Sequence, residues 1–243
     1  MSNLDIFAHR GASGSFPENT VSSFKEAARL PIFGVEFDVH MSSDGELVVI
    51  HDETIDRTSN GMGFIKDMTL EDLKQFDYGG WFSPEFRGET IPTLSEVLDI
   101  FQPTELILNI ELKSDVFPYN GMVEKVLAMI SKKQMEECVI LSSFDHSAIQ
   151  LVKKLAPQIE TAALFMEVLV HPLDYIRSLP TNALHVFFPT AVRPSLKEIY
   201  EAEVPVRAFT VNEPEQAKTL KQAGVQAIFT DFPEKMASLL NNQ

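Results

Sequence analysis

Only one of the 243 residues is a cysteine, Cys138, and it sits inside the apolar run "ECVILSS". No intramolecular disulfide can form, and a buried thiol in a reducing compartment is the expected state. No apolar run approaches the roughly 20 residues that a membrane-spanning helix needs. Residues 1–30 carry no basic segment followed by an apolar one, so no signal peptide is expected. These absences point to a cytoplasmic protein without stable membrane association. Positive charge is also scarce: 20 Lys and Arg against 35 Asp and Glu give a formal charge of −15 and a pI near 4.8. Nucleic acid and anionic lipid would be repelled over most of such a surface, whereas cations would be concentrated there.

What the chain does have is a hydrophobic content of 44%, enough for a full core, and a length that matches one (β/α)₈ barrel. Nine short β-rich runs recur: "LDIFAH", "VEFDVH", "ELVVIH", "ELILNIEL", "CVILSSF", "TAALF", "LHVFFP", "VRAFTV" and "QAIFTD". From Leu106 onward they alternate with helical patterns, as successive βα units do. Nine is one too many for the barrel. Only "MSSDG" separates "VEFDVH" from "ELVVIH", too short for a crossover helix but suited to a hairpin. One run is therefore an extra antiparallel strand, with Met41 facing Leu47 and His51 brought beside Asp38. Residues 52–92 break the rhythm with a Gly-, Asp- and Thr-rich stretch that holds the only tryptophan, Trp81, and one short helix after Thr69. The fold class expected is α/β, a TIM-type (β/α)₈ barrel spanning residues 1–243 as one catalytic domain. Residues 52–92 form a small insertion over one mouth, with Trp81 either a lid wall or an anchor by packing.

Charged groups end four of these runs: His9-Arg10, Glu36-Phe37-Asp38, Glu111-Leu112-Lys113 and His51. Alternation along a strand puts Glu36 and Asp38 on one face, and Glu111 and Lys113 on one face. Carboxylates facing a barrel interior are costly unless paired or bound to metal. Three of them meeting at the strand C-terminal ends make an oxygen-only site for one hard divalent cation, Mg²⁺ or Ca²⁺. A cation, two histidines and the bases Arg10 and Lys113 suit a phosphoester, because positive charge neutralises its oxygens while imidazoles move protons near neutral pH.

The motifs "HRG", "PENT", "VEFDV", "DGELVVIHD", "IELK", "FTVN" and "TDFP" follow one another over nearly the whole chain. In this the sequence resembles the glycerophosphodiester phosphodiesterases, TIM-barrel enzymes related to phosphatidylinositol-specific phospholipases. The resemblance implies hydrolysis of deacylated phospholipids to glycerol 3-phosphate and an alcohol, a reaction of glycerol and lipid metabolism. It implies His9 and His51 as the acid/base pair and Glu36, Asp38 and Glu111 as metal ligands. Arg10 and Lys113 fall on phosphate-contacting positions. Where Trp commonly precedes "TVN" in the family, this chain has Phe209, a smaller aromatic wall beside the substrate's alcohol group. Glu18 and Asn19 are supporting residues: Asn19 or Thr20 caps the following helix, and Glu18 backs the site from outside.

Two other readings compete. A phospholipase or other phosphodiesterase of the same barrel type should expose apolar or basic interfacial features, of which this acidic sequence shows little. A non-catalytic phosphodiester-binding module would need the cation and bases but no acid/base pair. His40, His146, His171 and His185 are read as structural or solvated, with His185 at the closed end. Asp231 either caps the last helix or lines the mouth. The partner expected is a small glycerophosphodiester. The sequence does not fix the oligomeric state, and a homodimer stays open.

Overall fold

Each of the nine apolar runs becomes a strand in the computed structural model, which describes residues 4–240. The outermost residues of the expected domain, 1–3 and 241–243, lie outside the described residues. The strands are β1 (Asp5–His9), β2 (Gly34–Met41), β3 (Leu47–Val49), β4 (Ile107–Leu112), β5 (Val139–Ser143), β6 (Glu160–Phe165), β7 (Ala183–Phe187), β8 (Val206–Phe209) and β9 (Ala227–Thr230). All but β3 pair in parallel, and β1 closes the ring by pairing with both β2 and β9. This is a (β/α)₈ barrel with one strand outside it. β3 lies antiparallel on β2 with Met41 opposite Leu47 and Val39 opposite Val49, the hairpin register expected from the short turn.

Two apolar layers hold the ring. Inside it, Phe7, Ile140, Ala162, Ala183, Ala227 and Phe229 fill the barrel below the site. Gly34 is required there, because a Cβ would collide with the Ile107 carbonyl and the Phe7 ring. Outside the ring, strand side chains of opposite parity meet the helices. Phe24, on the helix Val21–Ala27, packs edge-on to Phe37 of β2 at 5.5 Å and to Phe101 of the helix Leu94–Phe101 at 5.9 Å. Truncating one such buried ring costs about 3–5 kcal/mol.

Between β3 and β4 the insertion builds a small core of its own from Ile55, Ile65, Leu73, Tyr78 and Ile91, packed with Val48 and Ile50 of the hairpin arm. The expected helix after Thr69 is present as Leu70–Leu73, with Thr69 and Asp72 forming a reciprocal cap. Trp81 is half-exposed, donates from Nε1 to the Tyr78 carbonyl at 2.9 Å and packs edge-on to Phe82. These contacts anchor it within the insertion. Among the described residues, no helix is long and apolar enough to cross a membrane.

Candidate active site

Strand register assembles the acidic cluster. Glu36 of β2 stands beside His9 of β1, and Asp38 stands beside Glu111 of β4. The three carboxylates offer oxygens within 4.8 Å of one another, and the residues are only 4%, 1% and 9% exposed. Burial, then the charges of Asp38 and Glu111, push Glu36 well above the ordinary glutamate range. Burial also raises Glu111, although Lys113 opposes it. Asp38 resists burial: His51, Arg10, Lys113 and the Asn19 amide together hold its carboxyl below the usual range. Two buried amide oxygens, Oδ1 of Asn19 and Oδ1 of Asn109, have no hydrogen-bond partner. Asn109 pairs in register with Glu36, and the Asn19 Nδ2 donates to Asp38 at 2.9 Å. Crowded carboxylates with unfilled amide oxygens beside them fit a hard divalent cation, and nothing in the set favours a soft one.

Each expected histidine is backed by an aspartate. His9 Nδ1 lies 2.7 Å from Asp231 Oδ1, and His51 Nδ1 lies 2.7 Å from Asp52 Oδ1. A carboxylate only accepts, so each Nδ1 carries the proton and each Nε2 is left free for chemistry. His9 Nε2 is 3.9 Å from Glu36 Oε2. Burial and the Arg10 charge lower His9 despite Asp231. Asp231 is fixed in turn by Asn212 Nδ2 at 2.6 Å and Ser13 Oγ at 3.1 Å, and its carboxyl is held down at about 2 despite burial. Its contacts therefore place it at the mouth with His9. His40, buried behind the hairpin, accepts from the Tyr119 hydroxyl and donates from Nε2 to the His51 carbonyl at 3.0 Å, fixing the turn on which His51 sits.

Arg10 takes a left-handed backbone, φ 57°, which aims its N–H at Glu36 Oε2, 3.0 Å away. Glycine normally takes this region, so the conformation is held by its surroundings. The Asn19 N–H closes the loop onto the Arg10 carbonyl. Thr20, and not Asn19, caps the helix, in a reciprocal box with Ser23. Glu18 accepts from Arg10 Nη1 at 2.8 Å and from both terminal nitrogens of Arg57, each at 2.8 Å. Arg57 also grips Asp52 with Nε at 2.8 Å and Nη2 at 3.0 Å. A single guanidinium from the insertion thus ties Glu18 to the partner of His51. Lys113 is buried against Glu111 at 3.0 Å.

The cluster opens into a cavity of about 430 Å³. His9, Arg10, Glu36, His51, Asn109 and Glu111 line the cavity, as do Phe209 and several other apolar side chains. Trp81 and Lys113 are not among its lining residues. His185 is at the cavity floor: it is fully buried, packs at a tilt against Phe229 with ring centroids 4.9 Å apart and lines the space. Arg207 can only donate, so the His185 Nε2 accepts from it at 3.2 Å, and burial with that charge keeps the ring neutral.

Residues 9–235 match the Glycerophosphoryl diester phosphodiesterase family. The chain belongs to that family. It is 40% identical to a glycerophosphodiester phosphodiesterase of Caldanaerobacter subterraneus subsp. tengcongensis over 97% of each chain. A Bacillus altitudinis protein of the same name is 40% identical over 96% of this chain and 97% of its own. Among solved structures, an Oleispira antarctica phosphodiesterase in complex with the product sn-glycerol-3-phosphate superposes with a TM-score of 0.88. Identity there is 32%, over 98% of this chain and 97% of that one.

Sequence reasoning did not single out Arg57, Asn212, Ser13 or Asn109. Asn109 carried a readable signal, since it stands two residues before Glu111 and faces the same way on β4, and Asn212 closes the motif "FTVN". Arg57 lies in irregular chain, where no periodicity says which way a side chain points.

Proposed function

We propose that this family member hydrolyses glycerophosphodiesters to glycerol 3-phosphate and an alcohol, with one Mg²⁺ or Ca²⁺ held by Glu36, Asp38 and Glu111. The carrying observation is the meeting of those buried carboxylates with two aspartate-backed histidines at one barrel mouth. When bound, the cation supplies charge to polarise a phosphoryl oxygen. Arg10, locked between Glu18 and the carboxylates, directs a second positive charge at the phosphate, and Lys113 adds a third from beside Glu111. His9, kept neutral by burial and by Arg10, takes at Nε2 the proton of the substrate's own glycerol hydroxyl as that oxygen bonds to phosphorus, leaving a cyclic phosphate that water then opens. His51 gives a proton to the departing alcohol oxygen, and the two exchange roles when water completes the hydrolysis. Asp231 and Asp52 hold the ring orientations, with Arg57 bracing Asp52.

The whole chain acts as one catalytic domain in this reading, with residues 52–92 an insertion at the mouth and the cytoplasm its place of work. A non-catalytic binding module would have no use for two aspartate-backed imidazoles. Glycerol 3-phosphate release is to be assayed from a panel of glycerophosphodiesters, with Mg²⁺ or Ca²⁺ and with chelator. Turnover that chelator abolishes supports the reading. Turnover indifferent to chelator removes the cation, and none on any diester removes the activity.

A further inference from the structure

Where the hairpin leaves the sheet, a buried side chain takes over from the backbone. The ladder between β2 and β3 ends with Val39 opposite Val49, and one residue further the Ile50 N–H still reaches the Asp38 carbonyl at 3.1 Å. His51 lies past that last bond. Among the described residues a single group donates to its carbonyl, the His40 Nε2 at 3.0 Å. His40 stands two residues after Asp38 on β2, so its ring shares the face of Glu36 and Asp38, and it is fully buried. A carbonyl only accepts, which puts a proton on Nε2 and, in the neutral ring, leaves Nδ1 to accept from the Tyr119 hydroxyl at 3.0 Å. The two rings meet edge-on, with centroids 5.8 Å apart. Tyr119 belongs to the connection that leaves β4 after Glu111. One polar strap thus runs from the β4 connection, through the strand that bears Asp38, to the turn that carries His51.

We propose that His40 is a positioning residue for the reaction: its Nε2–H fixes the His51 backbone, and with it the reach of the His51 imidazole to the departing alcohol oxygen. The proposal rests on the phosphodiesterase reading above. Burying an imidazole costs free energy unless its nitrogens are paired. Here both are paired, and one of them to the main chain of an acid/base residue. Asp52 holds the His51 ring but is the next residue in the chain and moves with it, and its brace, Arg57, acts from the solvent side. His40 acts on the backbone from within. It ties the turn to the strand of a metal ligand, so His51 cannot shift against Asp38 without breaking a buried bond. Proton transfer needs the donor within hydrogen-bond reach, and small displacements from it are costly. Loss of the His40 bond leaves Arg10 and the carboxylates in place, so it should act on protonation of the leaving oxygen and not on phosphate binding.

Release of the alcohol is to be followed in a single turnover, with enzyme in excess and saturating Mg²⁺, so that only the step in which His51 protonates the leaving oxygen is read. Two diesters are compared: glycerophosphocholine, whose choline oxygen needs that proton, and glycerol 3-(p-nitrophenyl) phosphate, whose p-nitrophenolate leaves without it. His40→Gln and His40→Asn separate the two ring nitrogens, because a glutamine amide puts its N–H near the place of Nε2 and an asparagine amide near that of Nδ1. His40→Asn and His40→Leu should lose roughly tenfold in choline release, the scale of removing an outer partner of a functional side chain, and less than about twofold in p-nitrophenolate release. His40→Gln should recover most of the choline rate, with substrate affinity unchanged in all three variants. Equal losses on the two diesters, or Gln and Asn variants that behave alike, would show general damage and overturn the role. Where His40→Leu does not fold, the Gln and Asn variants decide alone. An active wild-type chain with an unaffected His40→Asn overturns the role and leaves the phosphodiesterase reading standing. A wild-type chain that turns over neither diester removes that reading, and this role with it.

Discussion

The two halves of the barrel divide the work. β1, β2, β4 and the hairpin arm bring every charged group of the cavity, each held by a second ring of polar partners: Asp231, Asp52, Glu18, Asn19 and Arg57. β5 to β9 bring an apolar wall whose polar exceptions in the cavity are His185 and Thr210. In the proposed reaction the first half handles charge and proton transfer, where small displacements are costly. The other is a shaped surface whose contribution scales with the area it covers. Substitutions in the first half should therefore act on kcat, and substitutions in the second on which substrate is accepted.

The largest effects belong to the acidic cluster. Glu36→Gln, Asp38→Asn and Glu111→Gln should each lower turnover roughly a thousandfold, the size of losing a cation's stabilisation of several kcal/mol. The metal-free fold should melt at an unchanged or higher temperature, because one of three crowded charges is gone. Steady-state rates set beside thermal melts check both. An equal loss from Phe144→Ser would erase the distinction between the halves.

The same cluster sets a pH dependence. Glu36 and Glu111 are raised above the ordinary 4.5 in the fold, so their support is complete below that value and is lost as pH rises through the raised values. Asp231, held near 2, works oppositely: its support is present above the ordinary 3.8 and is lost as pH falls toward 2. Metal-free protein should thus lose melting temperature as pH rises above the ordinary glutamate range and through the raised values of Glu36 and Glu111, and excess Mg²⁺ or Ca²⁺ should remove the loss. Melts with chelator and with cation, compared across that range, measure it.

Arg57→Ala should cost about tenfold in kcat with little change in KM, the scale seen when an outer partner of a functional side chain is removed. Arg57→Lys should recover part of it, since an ammonium cannot grip Glu18 and Asp52 bidentately. The smallest effect belongs to Trp81. Its contacts stay inside the insertion, so Trp81→Phe should leave turnover within about twofold, as surface changes away from such networks do. Saturating glycerol 3-phosphate should barely alter its fluorescence.

Much of this was legible in the sequence for a physical reason. A period of two fixes which face a strand residue takes, so the sequence alone puts Glu36, Asp38 and Glu111 together at strand ends. A five-residue link cannot hold a crossover helix, so the extra strand and its register followed. What stayed hidden depends on distance through space. Asp231 could have been a helix cap or a site residue, and only the closure of β9 against β1 brings it to His9. His185 alternates inward on β7, yet its height in the barrel depends on the stagger of the ring, which puts it at the cavity floor rather than the closed end.

The central claim is that His9 and His51 act as a unit across the cation. It is tested most directly by a double-mutant cycle on kcat, using glycerophosphocholine with saturating Mg²⁺ and confirmed metal binding in every variant. His9→Ala and His51→Ala should each lose roughly a hundredfold or more, and the double variant should be little worse than either. A near wild-type rate in either single variant, or a double loss equal to the product of the two single losses, would contradict the account.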